Sequence, residues 1–138
     1  MSPIEDLMAV NRTKQLLASL DELKAVGEKL IAGICTTGAR LFPNQFSPTP
    51  NGTTLRFTFY GIELLTRVEL AIHGDELPRV STYVVDQHVP PQLEKLDMDL
   101  NFDSLGNINN SMTIEDAAPK FLPTLMKQLG IKKISLLP

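Results

Sequence analysis

Apolar and polar residues alternate in five successive runs between Thr53 and Ile114, and this pattern constrains the fold more than any other feature of the chain. The clearest run has apolar residues at every second position: Leu96, Met98, Leu100 and Phe102. A period of two is typical of an antiparallel strand that buries one face and exposes the other. The runs therefore predict a meander of five antiparallel strands, at residues 55–60, 64–72, 79–85, 95–103 and 108–114.

The segment Gly74–Glu76 predicts a hairpin loop between the second and third of these strands. We expect His73 to lie opposite Leu77, because this register keeps the apolar side chains of both strands on one face. The same register brings Arg67 near Tyr83 on the other face. A shorter, two-residue loop would shift the pairing by one residue and separate the two apolar sets.

Residues 3–34 have the features of a helical segment. Ser2, Pro3 and Glu5 form a helix-start signal, and a second capping box follows at Ser19 and Glu22. The segment is therefore either one long helix or two helices that meet near Ser19.

Apolar or small residues in this segment recur at alternating spacings of four and three: Leu16, Leu20, Leu23, Gly27, Leu30 and Ile34. The stripe is shorter than the three or four heptads that identify a coiled coil. It is consistent with a helix packed across a sheet or with a helix that self-associates. In the second case the candidate interface residues are Leu16, Leu20, Leu23 and Leu30.

Three prolines and the turn pair Asn51-Gly52 predict a long irregular loop over residues 36–52.

After Glu115 the apolar residues recur at the spacing of a helix. A proline inside a helix costs about 3 kcal/mol, so we expect the C-terminal helix to begin near Pro123. The apolar tail at residues 131–138 is expected to be docked. Together these features predict one α+β domain over residues 1–138, with an N-terminal helical segment, a five-stranded antiparallel meander sheet and a C-terminal helix packed on one face.

Composition narrows the possible partners and the compartment. The net charge of −3 gives no electrostatic reason to bind nucleic acid. The single Cys35 cannot form an intramolecular disulfide, which favours a reducing compartment. The acidic N-terminus lacks a signal peptide's features, and no apolar stretch is long enough to span a bilayer. We therefore expect a cytoplasmic protein that binds neither nucleic acid nor membrane.

Motifs that carry catalysis or bind a cofactor are not found in the sequence. His73 and His88 are the only histidines, and the predicted hairpin separates them by about 35 Å, too far to share a metal ion. We expect no catalytic residues, no metal site and no cofactor. The sequence therefore favours a protein without enzymatic activity over an enzyme.

Two functional hypotheses remain. The first is a non-enzymatic protein-binding or assembly module that acts as a homodimer or binds another protein. The second is a small-ligand-binding protein or enzyme, with a pocket between a curved sheet and the helices and residues 36–52 as its lid. The ligand-binding candidates are then Arg67, Tyr83, Asp86 and His88.

Overall fold

A computed structural model describes residues 3–70, 78–86 and 90–130, with side chains from Ser19 onward. In chain order the elements are α1 (Pro3–Leu41), β1 (Phe46–Asn51), β2 (Thr54–Phe59), β3 (Ile62–Glu69), β4 (Arg79–Asp86), β5 (Gln92–Lys95), β6 (Leu100–Asn101) and α2 (Ile114–Gln128). The predicted α+β class is confirmed. Residues 3–34 belong to one long helix and not to two. The predicted loop at Gly74–Glu76, both histidines and the tail at 131–138 lie outside the described residues.

The sheet is antiparallel, with the strand order β1-β2-β3-β4-β5, and β6 pairs with β4 beyond the end of β5. β3 and β4 pair Val68 with Val80 and Leu64 with Val84. This register differs by two residues from the predicted one. An even shift leaves every side chain on its expected face, and it places apolar residues directly opposite one another.

Residues 36–52 do not form the predicted irregular loop. Residues 36–41 continue α1, where the Thr36 and Thr37 hydroxyls donate to carbonyls one turn back at 2.9 and 2.8 Å. Gly38 is buried against the side chains of Leu122 and Phe46. Packing against α2 and the sheet thus extends the helix past the last residue of the apolar stripe.

The prolines in this segment are compatible with β1 because of the direction of their backbone groups. The Tyr60 N–H donates to the Gln45 carbonyl at 3.1 Å, immediately before β1. Since backbone groups alternate in direction along an antiparallel strand, those of Pro48 and Pro50 face away from β2. These two prolines therefore remove no hydrogen bond between β1 and β2.

The last two predicted strands are largely replaced by other structure. Pairing with β4 shifts by two residues between Lys95 and Leu100, so residues 96–99 form a bulge. Residues 108–114 form only isolated bridges at Ile108, because Asn109 and Asn110 adopt left-handed φ angles of 50° and 71°. The apolar residues of both runs still turn inward.

α2 begins at Ile114, nine residues earlier than predicted. The Thr113 side chain caps the helix by accepting from the Asp116 N–H at 3.2 Å. Pro119 and Pro123 both lie inside the helix. Their cost is offset by one strongly buried face, made of Ala117, Ala118, Phe121, Leu122 and Leu125.

The core lies between the two helices and one face of the sheet. Its largest fully buried side chains are Phe59, Leu30, Ile31, Ile34, Leu55, Leu64, Ile108 and Leu125. Phe57 joins the layers through edge contacts with Phe46 and Phe121, at ring-centroid distances of 5.4 and 6.3 Å. Thr66 and Thr82 are also buried on this face, and their hydroxyls are paired at 2.9 Å. We call the opposite side of the sheet the helix-free face.

The closest approach of α1 to the sheet predicts a specific effect on stability. A Cβ at Gly27 would lie 2.6 Å from a methyl carbon of Val68, a β-branched residue with little rotamer freedom. We expect Gly27→Ala to lower the free energy of unfolding by about 1–3 kcal/mol, as overpacked cores do. The measurement is urea denaturation.

Gly33→Ala is the matched control, because its Cβ would meet its nearest neighbours at 3.4 Å. We expect this variant to be neutral or up to about 1 kcal/mol more stable, from helix propensity. Equal stability of the two variants would contradict the packing described for Gly27.

Candidate binding surface on the helix-free face of the sheet

The helix-free face is made by alternate residues of β2 to β5, which strand pairing brings side by side. Leu65 pairs with Tyr83, Arg67 with Ser81 and Glu69 with Arg79. Residues paired directly in this way project from the same side of the sheet. On β2, β3 and β5 the face also includes Arg56, Glu63, Leu93 and Lys95.

At the centre of this face, Glu69 is the acceptor of a polar network. Its carboxylate accepts a hydrogen bond from the Tyr83 hydroxyl. It also lies 3.4 Å from Arg67 Nε and 3.5 Å from Arg79 Nη2. The Arg67 guanidinium lies over the Tyr83 ring, 4.6 Å from its centroid, which adds a cation–π contact. Each of the four side chains therefore helps to fix the position of the others.

A second carboxylate extends the network toward β5. Asp99 lies in the bulge, and its Oδ2 is 3.0 Å from Lys95 Nζ and 3.8 Å from Arg79 Nε. Arg79 is thus located between the carboxylates of Glu69 and Asp99. We call Arg67, Glu69, Arg79, Tyr83, Lys95 and Asp99 the sheet-face network.

The network keeps its central acid and base charged at neutral pH. Burial by itself would raise the pKa of Glu69, but the Tyr83 and Arg67 hydrogen bonds and the charges of Arg67 and Arg79 outweigh it. The pKa of Glu69 is therefore lower than its usual value. The hydrogen bond with Tyr83 is the main cause that raises the pKa of Arg67, and the charge of Tyr83 and the hydrogen bond and charge of Glu69 add to it, despite partial desolvation.

Three of the four cations named on this face are more exposed than its carboxylates, whereas the Arg79 side chain is only 27% exposed and that of Glu63 is 36% exposed. The exposed fraction of the side chain is 66% for Arg56, 43% for Arg67 and 41% for Lys95. It is 25% for Glu69 and 28% for Asp99. A molecule that approaches the centre and β5 side of this face therefore meets positive charge first, on a chain whose net charge is −3.

Ser81 lies beneath this layer and is completely buried. Its hydroxyl has no hydrogen-bond partner among the described residues. Activation of a serine nucleophile requires an adjacent base, and no described side chain supplies one to Ser81. The arrangement is suited to binding through charge and an aromatic ring.

The four predicted ligand-binding residues are only partly brought together. Arg67 and Tyr83 are in contact, as described above. Asp86 is exposed at the end of β4, at a position that belongs to the helix-facing side of the sheet. His88 lies outside the described residues. Sequence reasoning did not include Glu69, although its spacing of two from Arg67 places both on one face of β3.

The four predicted interface residues all lie on α1, and those whose side chains are described are buried to different extents. Leu16 is in the helix, but in the part whose side chains are not described. Leu20 and Leu23 are half-buried. Leu30 is completely buried in the core of its own chain.

The hypothesis of a pocket under a lid does not fit the described packing. Apolar side chains fill the helix-facing side of the sheet, and residues 36–52, its proposed lid, are helix and strand. A cavity of about 210 Å³ lies between the bulge and α2, lined in part by Met98, Met112 and Phe121. It is smaller than the roughly 300–1,000 Å³ of typical ligand pockets. Two larger, more open depressions of about 430 and 340 Å³ lie beside Arg56 on the sheet and between α1 and residues 104–107, and neither is enclosed between the sheet and the helices. Within the described ranges, no group of His, Cys, Asp and Glu could hold a metal ion.

Comparison with known proteins gives no identification. No protein-family model, curated protein or solved structure matches this chain. Among the helices described, none is long and apolar enough to cross a membrane.

The network predicts a pH-dependent contribution from Glu69. Its folded-state pKa is lower than the unfolded value of about 4.3, so its stabilising effect is complete at pH 7 and is lost as the pH falls through the folded-state pKa. We expect Glu69→Gln to lower the free energy of unfolding by about 1 kcal/mol at pH 7, with the difference from wild type shrinking in acid. Urea denaturation across this pH range measures both effects.

Glu63→Gln is the matched control on the same strand and face. Glu63 lies 3.7 Å from Arg56, whose side chain is two-thirds exposed, and exposed pairs contribute little. We expect this variant to lose less than about 0.5 kcal/mol. A Glu69→Gln effect no larger than the control's, or one that persists unchanged in acid, would contradict the network's role.

Proposed function

We propose that this chain is a non-enzymatic protein-binding or assembly module that acts as a homodimer. In this proposal the N-terminal half of α1 is the self-association element. The single observation that carries the proposal is the length of α1 relative to the domain.

α1 has 39 residues, which corresponds to about 58 Å at ~1.5 Å per residue. A compact domain of this chain length has a radius of gyration of about 14 Å, equivalent to a sphere roughly 37 Å across. A straight helix of this length therefore extends beyond such a globule by about 20 Å. Where the side chains of α1 are described, from Ser19 to Leu41, the buried positions begin at Val26. The proposal assigns the extending end to the N-terminus.

The apolar stripe of α1 continues past the residues that the core uses. From Gly27 to Ile34 the stripe is buried against β3 and α2. One turn earlier, Leu23 is half-buried and still packs against the core. One turn before it, Leu20 is half-buried outside the core cluster, and the residues between the two are exposed. An isolated helix with an uncovered apolar stripe is marginally stable in water. A second copy that presents the same stripe would cover Leu20.

The proposal predicts that a charge on the stripe dissociates the dimer. We expect Leu20→Glu to convert the wild-type dimer to a monomer in sedimentation velocity, because it places an unpaired carboxylate in an apolar contact. Ala25→Glu is the matched control, since Ala25 is exposed and lies on the opposite side of the helix. This variant should sediment as the wild type does.

A wild-type chain that sediments as a monomer at every concentration would overturn the proposal. A wild-type dimer that survives Leu20→Glu would show that self-association uses another surface. Circular dichroism of both variants establishes that each remains folded.

A further inference from the structure

Two parts of the sheet edge are closed against additional strands. On β1, the outward-facing backbone positions are Phe46, Pro48 and Pro50. The Phe46 N–H already donates to the Phe42 carbonyl at 3.1 Å, and a proline has no N–H to offer. This edge therefore presents no free donor to a new strand.

The edge at β6 is closed by a polar cap. The Asn101 N–H donates to Asn109 Oδ1 at 3.0 Å, and its carbonyl accepts from the Asn109 N–H at 2.8 Å. Both outward-facing backbone groups of Asn101 are thus occupied. The left-handed conformation of Asn109, with φ of 50°, makes this arrangement possible.

β5 differs from these two edges. The Leu96 N–H donates to the Thr82 carbonyl at 2.9 Å, so by alternation the backbone groups of Leu93 and Lys95 face away from β4. No described residue bonds to these outward groups. All four side chains of β5 are exposed, so within the described part of the chain the strand offers both exposed side chains and unbonded outward backbone groups.

The side chains of β5 indicate what an additional strand would have to carry. Leu93 and Lys95 project from the helix-free face, beside Val85 and Tyr83. Leu93 is 45% exposed, and Lys95, whose ammonium group is paired with Asp99 at 3.0 Å, keeps 41% of its side chain exposed. Cross-strand neighbours are most stable as apolar pairs and as opposite charges. A complementary strand would therefore place an acidic side chain opposite Lys95 and an apolar one opposite Leu93.

We propose that β5 binds an extended segment of a partner protein, which adds to the sheet as an antiparallel strand. The segment carries an acidic residue and, two positions later, an apolar residue on the same face. Backbone hydrogen bonds to Leu93 and Lys95 align the segment, and the two side-chain contacts select it. The inference rests on the proposed protein-binding role, and it uses a surface separate from the stripe on α1.

A second copy of β5 fits this edge less well. Symmetric antiparallel pairing centred on Glu94 places that carboxylate opposite its own copy, which is destabilising. Pairing centred on Leu93 sets Lys95 opposite Pro91, which has no N–H to complete the ladder. A segment from a different protein is free of both restrictions.

The test is selection from a display library of random linear peptides against the purified full-length chain. We expect the enriched peptides to share an acidic residue two positions before an apolar one. Binding should protect the Leu93 and Lys95 amides from hydrogen exchange. A library that yields no binders, or binders without this spacing, would overturn the inference.

Leu93→Pro is the decisive variant, because it closes the β5 edge in the way that Pro48 and Pro50 close the β1 edge. Since the Leu93 N–H makes no hydrogen bond within the described chain, we expect the variant to remain folded and to weaken peptide binding by about tenfold or more. Leu93→Thr, which keeps the N–H, should bind with intermediate affinity. Equal affinity for Leu93→Pro and the wild type would overturn the inference.

Lys95→Glu tests the charge preference independently. This variant should enrich a basic residue at the position where the wild type enriches an acidic one. Retention of the acidic residue would contradict the pairing with Lys95.

The oligomeric state of each variant separates the two proposals. A variant that loses peptide binding but remains a dimer tests only the peptide-binding role of β5. A wild-type chain that is a monomer tests only the role of α1 in self-association. Protection of the Leu93 and Lys95 amides in the peptide-free dimer would show self-pairing and would also overturn the inference.

Discussion

The close packing of α1 on β3 at Gly27 and Val68 determines how the rest of the molecule is exposed. The absence of a side chain at Gly27 lets the helix lie directly against the sheet, and from this point to Ile34 the apolar stripe enters the core. α2 completes the same layer through its contacts with Gly33 and Gly38. Both helices therefore cover one side of the sheet.

This one-sided arrangement accounts for the character of the helix-free face. A sheet face without a covering helix requires side chains that are stable in water and still hold the strands together. The sheet-face network meets both needs, because Glu69 and Asp99 bind cations from neighbouring strands while Arg67 and Lys95 remain exposed. The edges of the sheet differ from one another. Pro48 and Pro50 close one edge, Asn109 caps part of the other, and no described residue bonds to the outward backbone groups of β5. Lys95 therefore combines a charged, partly exposed side chain with outward backbone groups that no described residue binds.

The alternation of apolar residues was sufficient to predict β2, β3 and β4, their sequential order and the inward-facing side chains, since each of these depends only on local period. The contact between Arg67 and Tyr83 was also predicted, and it survives a register error of two residues because both stay on the same face. The errors have a common cause. The sequence analysis interpreted four prolines as residues that end a strand or helix: Pro48, Pro50, Pro119 and Pro123. Whether a proline does so depends on the direction of its missing N–H and on the burial of the residues around it. Asp99 was missed because a bulge, which has no clear sequence signal, brings it to Arg79.

We propose that the apolar stripe of α1 makes this chain a homodimer. The first experiment is native mass spectrometry of the purified wild-type chain. One chain has a mass of 15.3 kDa, so the account predicts a species at twice this mass, without additional bound mass. A species at the mass of one chain, with or without a bound small molecule, would contradict the account.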